Sequence, residues 1–304
     1  MELGETTVSS ARRWPSRSEP SGLALPRRPA TPNVYTRAWR GQVLARRPLL
    51  ALLAGLCLAV VTPPCASWAT AQAAPPDSTH ASAPATTEAA AQAAAALWQR
   101  GDFVAAYEAA VADEGSAASQ RLAARAAADQ AVYVLAETGA GQEEQFEWLR
   151  RSVAAAERAV ALDPSCSLTY VYLARGRGEI ARRSGVLQNL NVANELKRLF
   201  DRALELNPRD ADALVGLGMW HLELVENGVG WLYGGKRDQV MPLVEAGVAA
   251  APEQVNLRVE YATALRAFAQ PELAKEQLEA ALALPARSAV DRAEQERARR
   301  ILND

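Results

Sequence analysis

The chain has 304 residues, 49% of them hydrophobic and only 6% aromatic, with 33 Lys and Arg against 35 Asp and Glu. That length allows one large domain or two small ones, and no basic stripe is present to track phosphates, so nucleic-acid binding is not expected. Alanine dominates the apolar set and strand-like alternation never persists, which is the composition of a helical protein.

Taken from the N-terminus, residues 1–45 are rich in Arg and Pro and show no periodicity, so they are read as an extension outside the fold, with Val34 or Val43 as alternative starts. Residues 46–73 read as a signal peptide: Arg46-Arg47, an apolar run from Leu49 to Val61, and a small-x-small site, Ala71-Gln72-Ala73. Such a run rises only ~20 Å as a helix against a hydrocarbon core of ~30 Å, so no stable membrane span is expected in the mature protein. "ARRPLL" loosely matches a twin-arginine export motif, and the general secretory route fits better. Leu56 before Cys57 and Pro64 before Cys65 are too large for a lipoprotein site, so no lipid anchor is predicted. Without residues 1–73 the chain keeps 24 basic and 32 acidic residues, a net charge of −8. It also keeps a single cysteine, Cys166, expected to be a small buried apolar residue. Residues 74–86, mostly Ala, Pro, Ser and Thr, are read as a disordered linker.

Beyond the linker one pattern recurs. "RAVALDP", "RALELNP" and "AGVAAAP" each end a helical stretch with Ala or Gly five residues before Pro, at Pro164, Pro208 and Pro252, an interval of 44. An apolar helix follows each proline. Small residues at Ala159, Ala174, Ala203, Gly218, Gly247, Ala262, Ala274 and Ala281 let helices approach, while Leu173, Phe200, Leu217, Tyr261, Leu265 and Leu278 fill the spaces between them. In these residues the chain resembles the tetratricopeptide repeat family, whose unit is a helix–turn–helix of about 34 residues. The resemblance covers residues 87–286 as about five units, two of them weak. The longer interval is assigned to insertions around "RRSGVLQNLN" (182–191) and "ENGVGWLYGG" (226–235). It implies an all-α fold: a right-handed α-solenoid of lengthened helix–turn–helix units, closed by a C-terminal capping helix in residues 287–304. The stretched units and the exported start resemble one branch in particular, the T-component proteins of TRAP-type transporters and their relatives among microtubule-dynamics regulators.

Residue types that carry catalysis are sparse. Of two histidines, His80 falls in the linker and His221 on a packing position, so neither a Ser-His-Asp set nor a metal cluster is expected, and no phosphate-binding glycine loop is present. No cofactor and no enzymatic activity are predicted. The repeat resemblance implies a concave face lined by helix-A positions, here Leu168, Val171, Arg175 and Glu179, then Asp212, Val215, Met219, Leu222 and Glu223, then Asn256, Val259, Thr263 and Arg266. Valine stands where chaperone-binding relatives carry a carboxylate clamp, and these valines could equally pack between helices. Trp231 and Tyr233, among the glycines of the second insertion, are a further candidate contact or a plug beneath their own loop. The expected function is a periplasmic, non-catalytic adaptor that binds a protein or peptide in its concave groove. The alternative is an accessory of a TRAP-type transporter that handles a small organic ligand.

Overall fold

The computed structural model describes residues 84–184 and 190–303, all within one compact unit, residues 61–304. The extension, the export segment with Cys57 and Cys65, most of the linker and the middle of the first insertion lie outside the described residues. Among the described residues every regular element is helical, and no helix is long and apolar enough to cross a membrane.

Five helix pairs follow one another. They are α1 (Pro84–Arg100) with α2 (Phe103–Val111), α3 (Ala117–Asp129) with α4 (Gln142–Leu162), α5 (Ser167–Ser184) with α6 (Leu190–Leu206), α7 (Ala211–Glu226) with α9 (Arg237–Ala250), and α10 (Val255–Ala267) with α11 (Pro271–Ala283). A short α8 (Gly230–Tyr233) occupies the second insertion, and α12 (Ala289–Asn303) ends the chain. The 44-residue interval is physical: α4, α6 and α9 stop at Leu162, Leu206 and Ala250, because the residue before a proline avoids the α region. Asp163 and Asn207 turn the chain there by accepting from the backbone N–H groups of Ser165 and Arg209, each at 3.1 Å. The next helix then starts on a side-chain cap where one is available. Asp210 accepts from the Ala213 N–H at 3.0 Å and also takes the Ser167 hydroxyl at 2.6 Å, tying the caps of α5 and α7 together.

The small residues mark the close crossings. Ala159, Ala203, Ala262 and Ala281 have no exposed surface. A Cβ on Gly218 would stand 2.7 Å from Val244 Cγ2, and one on Gly247 would stand 2.8 Å from the Ala211 carbonyl, so α7 and α9 are in backbone contact. Cys166 is wholly buried at the head of α5.

The first helix of each pair also touches the first helix of the next, so α1, α3, α5, α7 and α10 form an inner row, backed by α2, α4, α6, α9 and α11. The last helix does more than cap the stack. α12 packs on α10 and α11, where Gln295 Nε2 satisfies the orphan carbonyls of Ala281 and Leu284 at 3.2 and 2.8 Å, and it also reaches α1. Its first residue, Ala289, lies against Gly101, and the guanidinium of Arg292 reaches the carbonyl of Arg100 at 3.4 Å. Farther along, Arg300 pairs with Glu137 at 2.9 Å. The inner helices therefore close on themselves, α12 joining the last pair to the first.

Candidate functional site: the closed inner face

The inner face is built from residues one helical turn apart. In α5 these are Leu168, Tyr172, Arg175 and Glu179, a stripe that a period of about 100° per residue keeps on one side. Aligned with it run Asp212, Met219 and Glu223 in α7, and Asn256, Glu260 and Thr263 in α10. The valines behave differently. Val171, Val215 and Val259 are 6%, 3% and 0% exposed and, like Leu222, lie in the cores between neighbouring helices, so they hold the row together rather than line it.

Asp129 is the hub of the face. It ends α3 with no exposed surface, accepts the indole N–H of Trp98 at 2.7 Å and a guanidinium N–H of Arg175 at 2.6 Å, and has Arg125 at 3.9 Å. The Arg125 guanidinium also stacks 3.7 Å over the Trp98 ring. Burial alone would pull the Arg175 guanidinium down. The Asp129 carboxylate outweighs it and holds Arg175 above its ordinary value, so it stays charged.

Beyond Asp129 the chain continues without a break into a π turn, Gln130–Leu135. Tyr133, on that turn, donates its hydroxyl to Glu294 Oε1 of α12 at 2.7 Å. Arg297 then bridges Glu294 at 3.3 Å and Glu260 of α10 at 2.6 Å. Burial, then Glu294, push the Tyr133 hydroxyl well above its usual range, so it remains a donor. Burial also raises the Glu294 carboxyl, against the pull of Arg297. Across the face, burial and then Asp210 push the Asp212 carboxyl up, opposed by Arg125, Arg175 and Asn256. Two polar clusters thus share the face, one joining α1, α3 and α5 and the other joining the π turn, α10 and α12, and they meet where the Arg175 guanidinium stands 6.0 Å from the Tyr133 ring. Trp98, Asp129, Tyr133, Glu260, Glu294 and Arg297 were not singled out from sequence, though a lone acid in the Ala-rich "RLAARAAAD" was a usable signal.

Toward the C-terminal ends of α5 and α7 the network gives way to a cavity of about 190 Å³. Arg175, Glu179, Met219 and Glu223 of the expected face meet there, together with Tyr233 from the insertion. The rest of that insertion turns outward: Trp231 is 84% exposed and Leu232 53%, while Tyr233 packs with Phe200 and Trp220. The two candidate aromatics thus divide, one turned in to the cavity wall and one protruding. His221 is core, its Nδ1 accepting the Lys236 N–H at 3.1 Å and fastening the insertion's far end to α7. Leu168, Asn256 and Thr263 are partly buried and do not line the cavity, and exposed Arg266 reaches the Ile301 carbonyl of α12 at 3.4 Å.

Known proteins add the following. The profile of a family described as "Regulator of microtubule dynamics protein 1-3" matches residues 92–231, less than half of the chain, from α1 to the exposed Trp231. No curated protein sequence matches. Among solved structures, the thermophilic tetratricopeptide protein TTC0263 of Thermus thermophilus is similar at 15% identity and a TM-score of 0.52, over 69% of this chain and 97% of that one. A structure of MamA protein is matched at 16% identity over 70% and 94% of the two chains, with a TM-score of only 0.37. At such identities the likeness concerns fold alone, and the fold is an all-α solenoid of tetratricopeptide type.

Proposed function

We propose that the protein is an exported, non-catalytic adaptor in the periplasm whose partner is a protein or peptide. Export rests on the sequence of residues 46–73 alone. The observation that carries the adaptor reading is Trp231, a tryptophan 84% exposed, beside Leu232, at 53%, on a four-residue helix between glycines. Large apolar side chains held out of the core in this way are typical anchors at protein interfaces, where Trp is over-represented. The groove expected for the partner is narrowed, because α12 crosses from α10 to α1 and Asp129 already engages Arg175. The accessible inner residues, Met219 and Glu223 above all, form the secondary contact.

The test is site-directed photo-cross-linking of the full chain in cells, with the photoreactive residue at position 231 or at Arg266, followed by affinity measurement on the partner identified. Trp231→Ala is expected to leave the unfolding midpoint unchanged, since an exposed side chain away from special features shifts stability by less than about 0.5 kcal/mol. It should weaken the partner at least about tenfold, or roughly 1.4 kcal/mol. A partner trapped only from position 266, and unaffected by Trp231→Ala, would return the interface to the inner face.

A second reading, the handling of a small organic ligand as a transporter accessory, is favoured by the cavity between α5, α6 and α7.

A further inference from the structure

The cavity allows the class of ligand to be named. Its walls are aromatic and aliphatic: Phe200 and Leu196 from α6, Met219 and Trp220 from α7, and Tyr233 from α8. The rings are held in place. Trp220 donates its indole N–H to the Ala193 carbonyl at 2.9 Å and stands edge-on to His221 at 4.8 Å, while Phe200 lies so close to Gly216 that a Cβ there would come within 2.5 Å of it. A wall fixed in this way keeps its shape when empty.

The charges at the rim decide what the cavity prefers. Four charged side chains line it, Arg175, Glu179, Arg182 and Glu223. Three of them are already engaged: Arg175 with Asp129, and Glu179 with both Arg182 and Arg183. Among the described residues the Glu223 carboxylate makes no hydrogen bond or ion pair, and its side chain is exposed. Partial burial pushes its carboxyl up, the Arg182 guanidinium pulls it down and the Glu179 carboxylate pushes it up again, so it is the one rim charge that no ion pair at contact distance already holds. A cation arriving there would gain Glu223 and the ring faces together.

We propose that this cavity binds a compact organic ammonium, its amine on Glu223 and its apolar body between Phe200, Trp220 and Tyr233. An apolar cavity of ~150 Å³ accepts benzene, so about 190 Å³ fits one ring with a two-carbon amine arm. The proposal deepens the small-ligand reading, on which it rests, and does not depend on the Trp231 contact.

The experiment titrates the full chain at neutral pH with three probes of one shape and different charge: 2-phenylethylamine, 2-phenylethanol and 3-phenylpropionate. Binding is read by calorimetry and by saturation transfer from protein to ligand. The amine is expected to bind at least tenfold more tightly than the alcohol, and the carboxylate not to bind. Glu223→Gln should lower amine affinity at least tenfold and leave the alcohol unchanged. Gly178→Val, whose Cβ would rest 3.6 Å from Leu196 in ordinary contact, should fill the space and remove all binding with its circular dichroism intact. Equal or tighter binding of 3-phenylpropionate, or an amine affinity indifferent to Glu223→Gln, would overturn the ammonium assignment while sparing the small-ligand reading. Binding of none of the three probes would overturn both.

Discussion

Asp129→Asn should lower the free energy of unfolding by about 3–5 kcal/mol, the range found when one partner of a buried ion pair is removed. The substitution keeps the size of the side chain and removes its charge. Asp129 has no exposed surface and meets donors on every side: the indole of Trp98 at 2.7 Å, the guanidinium of Arg175 at 2.6 Å, and Arg125 at 3.9 Å. An amide can accept on one end only, so its NH₂ must face either the Trp98 N–H or a guanidinium, and Arg175 is left charged without its ion-pair partner. Equilibrium unfolding in urea measures the loss. Arg175→Met added to Asp129→Asn should recover part of it, because an apolar side chain in place of the stranded cation ends that penalty. A loss below about 1 kcal/mol would mean that solvent inside the circuit, rather than Asp129, balances Arg175.

Gly247→Val is the second substitution expected to have a large effect. The Cβ it adds would lie 2.6 Å from Val215 Cγ2, 2.8 Å from the Ala211 carbonyl oxygen and 3.2 Å from the Val215 nitrogen. Two of those atoms are backbone and cannot turn away, so α9 must move off α7. Overpacking of this kind costs about 1–3 kcal/mol and sometimes more, and a β-branched valine in a helix offsets little of it. The midpoint of thermal unfolding should fall by roughly 5–10 °C, at about 2–4 °C per kcal/mol for a domain of this size. Gly228→Ala is the control. Its Cβ meets nothing within 4 Å, so its cost is confined to the positive φ of 71°. If both variants cost the same, the close crossing of α7 and α9 is not what Gly247 serves.

Much of this architecture was legible in the sequence because it is local. Pro164, Pro208 and Pro252 end helices by a steric rule that acts on the preceding residue, and small residues such as Gly218 and Gly247 announce close crossings wherever they recur. The inner face was legible in part. Arg175, Glu179 and Met219 fell on it, whereas Val171, Val215 and Val259 are turned into the cores, a choice that an apolar residue at the border of two helix faces does not reveal. The closure left no trace of this kind. Tyr133 and Glu294 are 161 residues apart, and neither periodicity nor spacing links a tyrosine on a π turn to a glutamate on the last helix. α12 reads as a cap because its charged residues look solvated, yet Glu294 is 4% exposed and Arg297 bridges two carboxylates. Trp231 and Tyr233, two residues apart on one short helix, point to opposite surroundings, and composition could not tell them apart.

The closed inner circuit is the claim on which both the cavity and the displaced partner contact depend. Its most direct test joins α12 to the first helices. In the double variant Glu137→Cys, Arg300→Cys, which replaces an exposed ion pair of 2.9 Å, a short bis-maleimide should link the two introduced positions in the free, folded protein. The linked peptide pair is read by mass spectrometry after digestion. Rapid linkage at native conditions, lost in urea, is expected of the closed circuit. Separate modification of both positions without linkage would show α12 away from the first repeats and the inner face as an open trough.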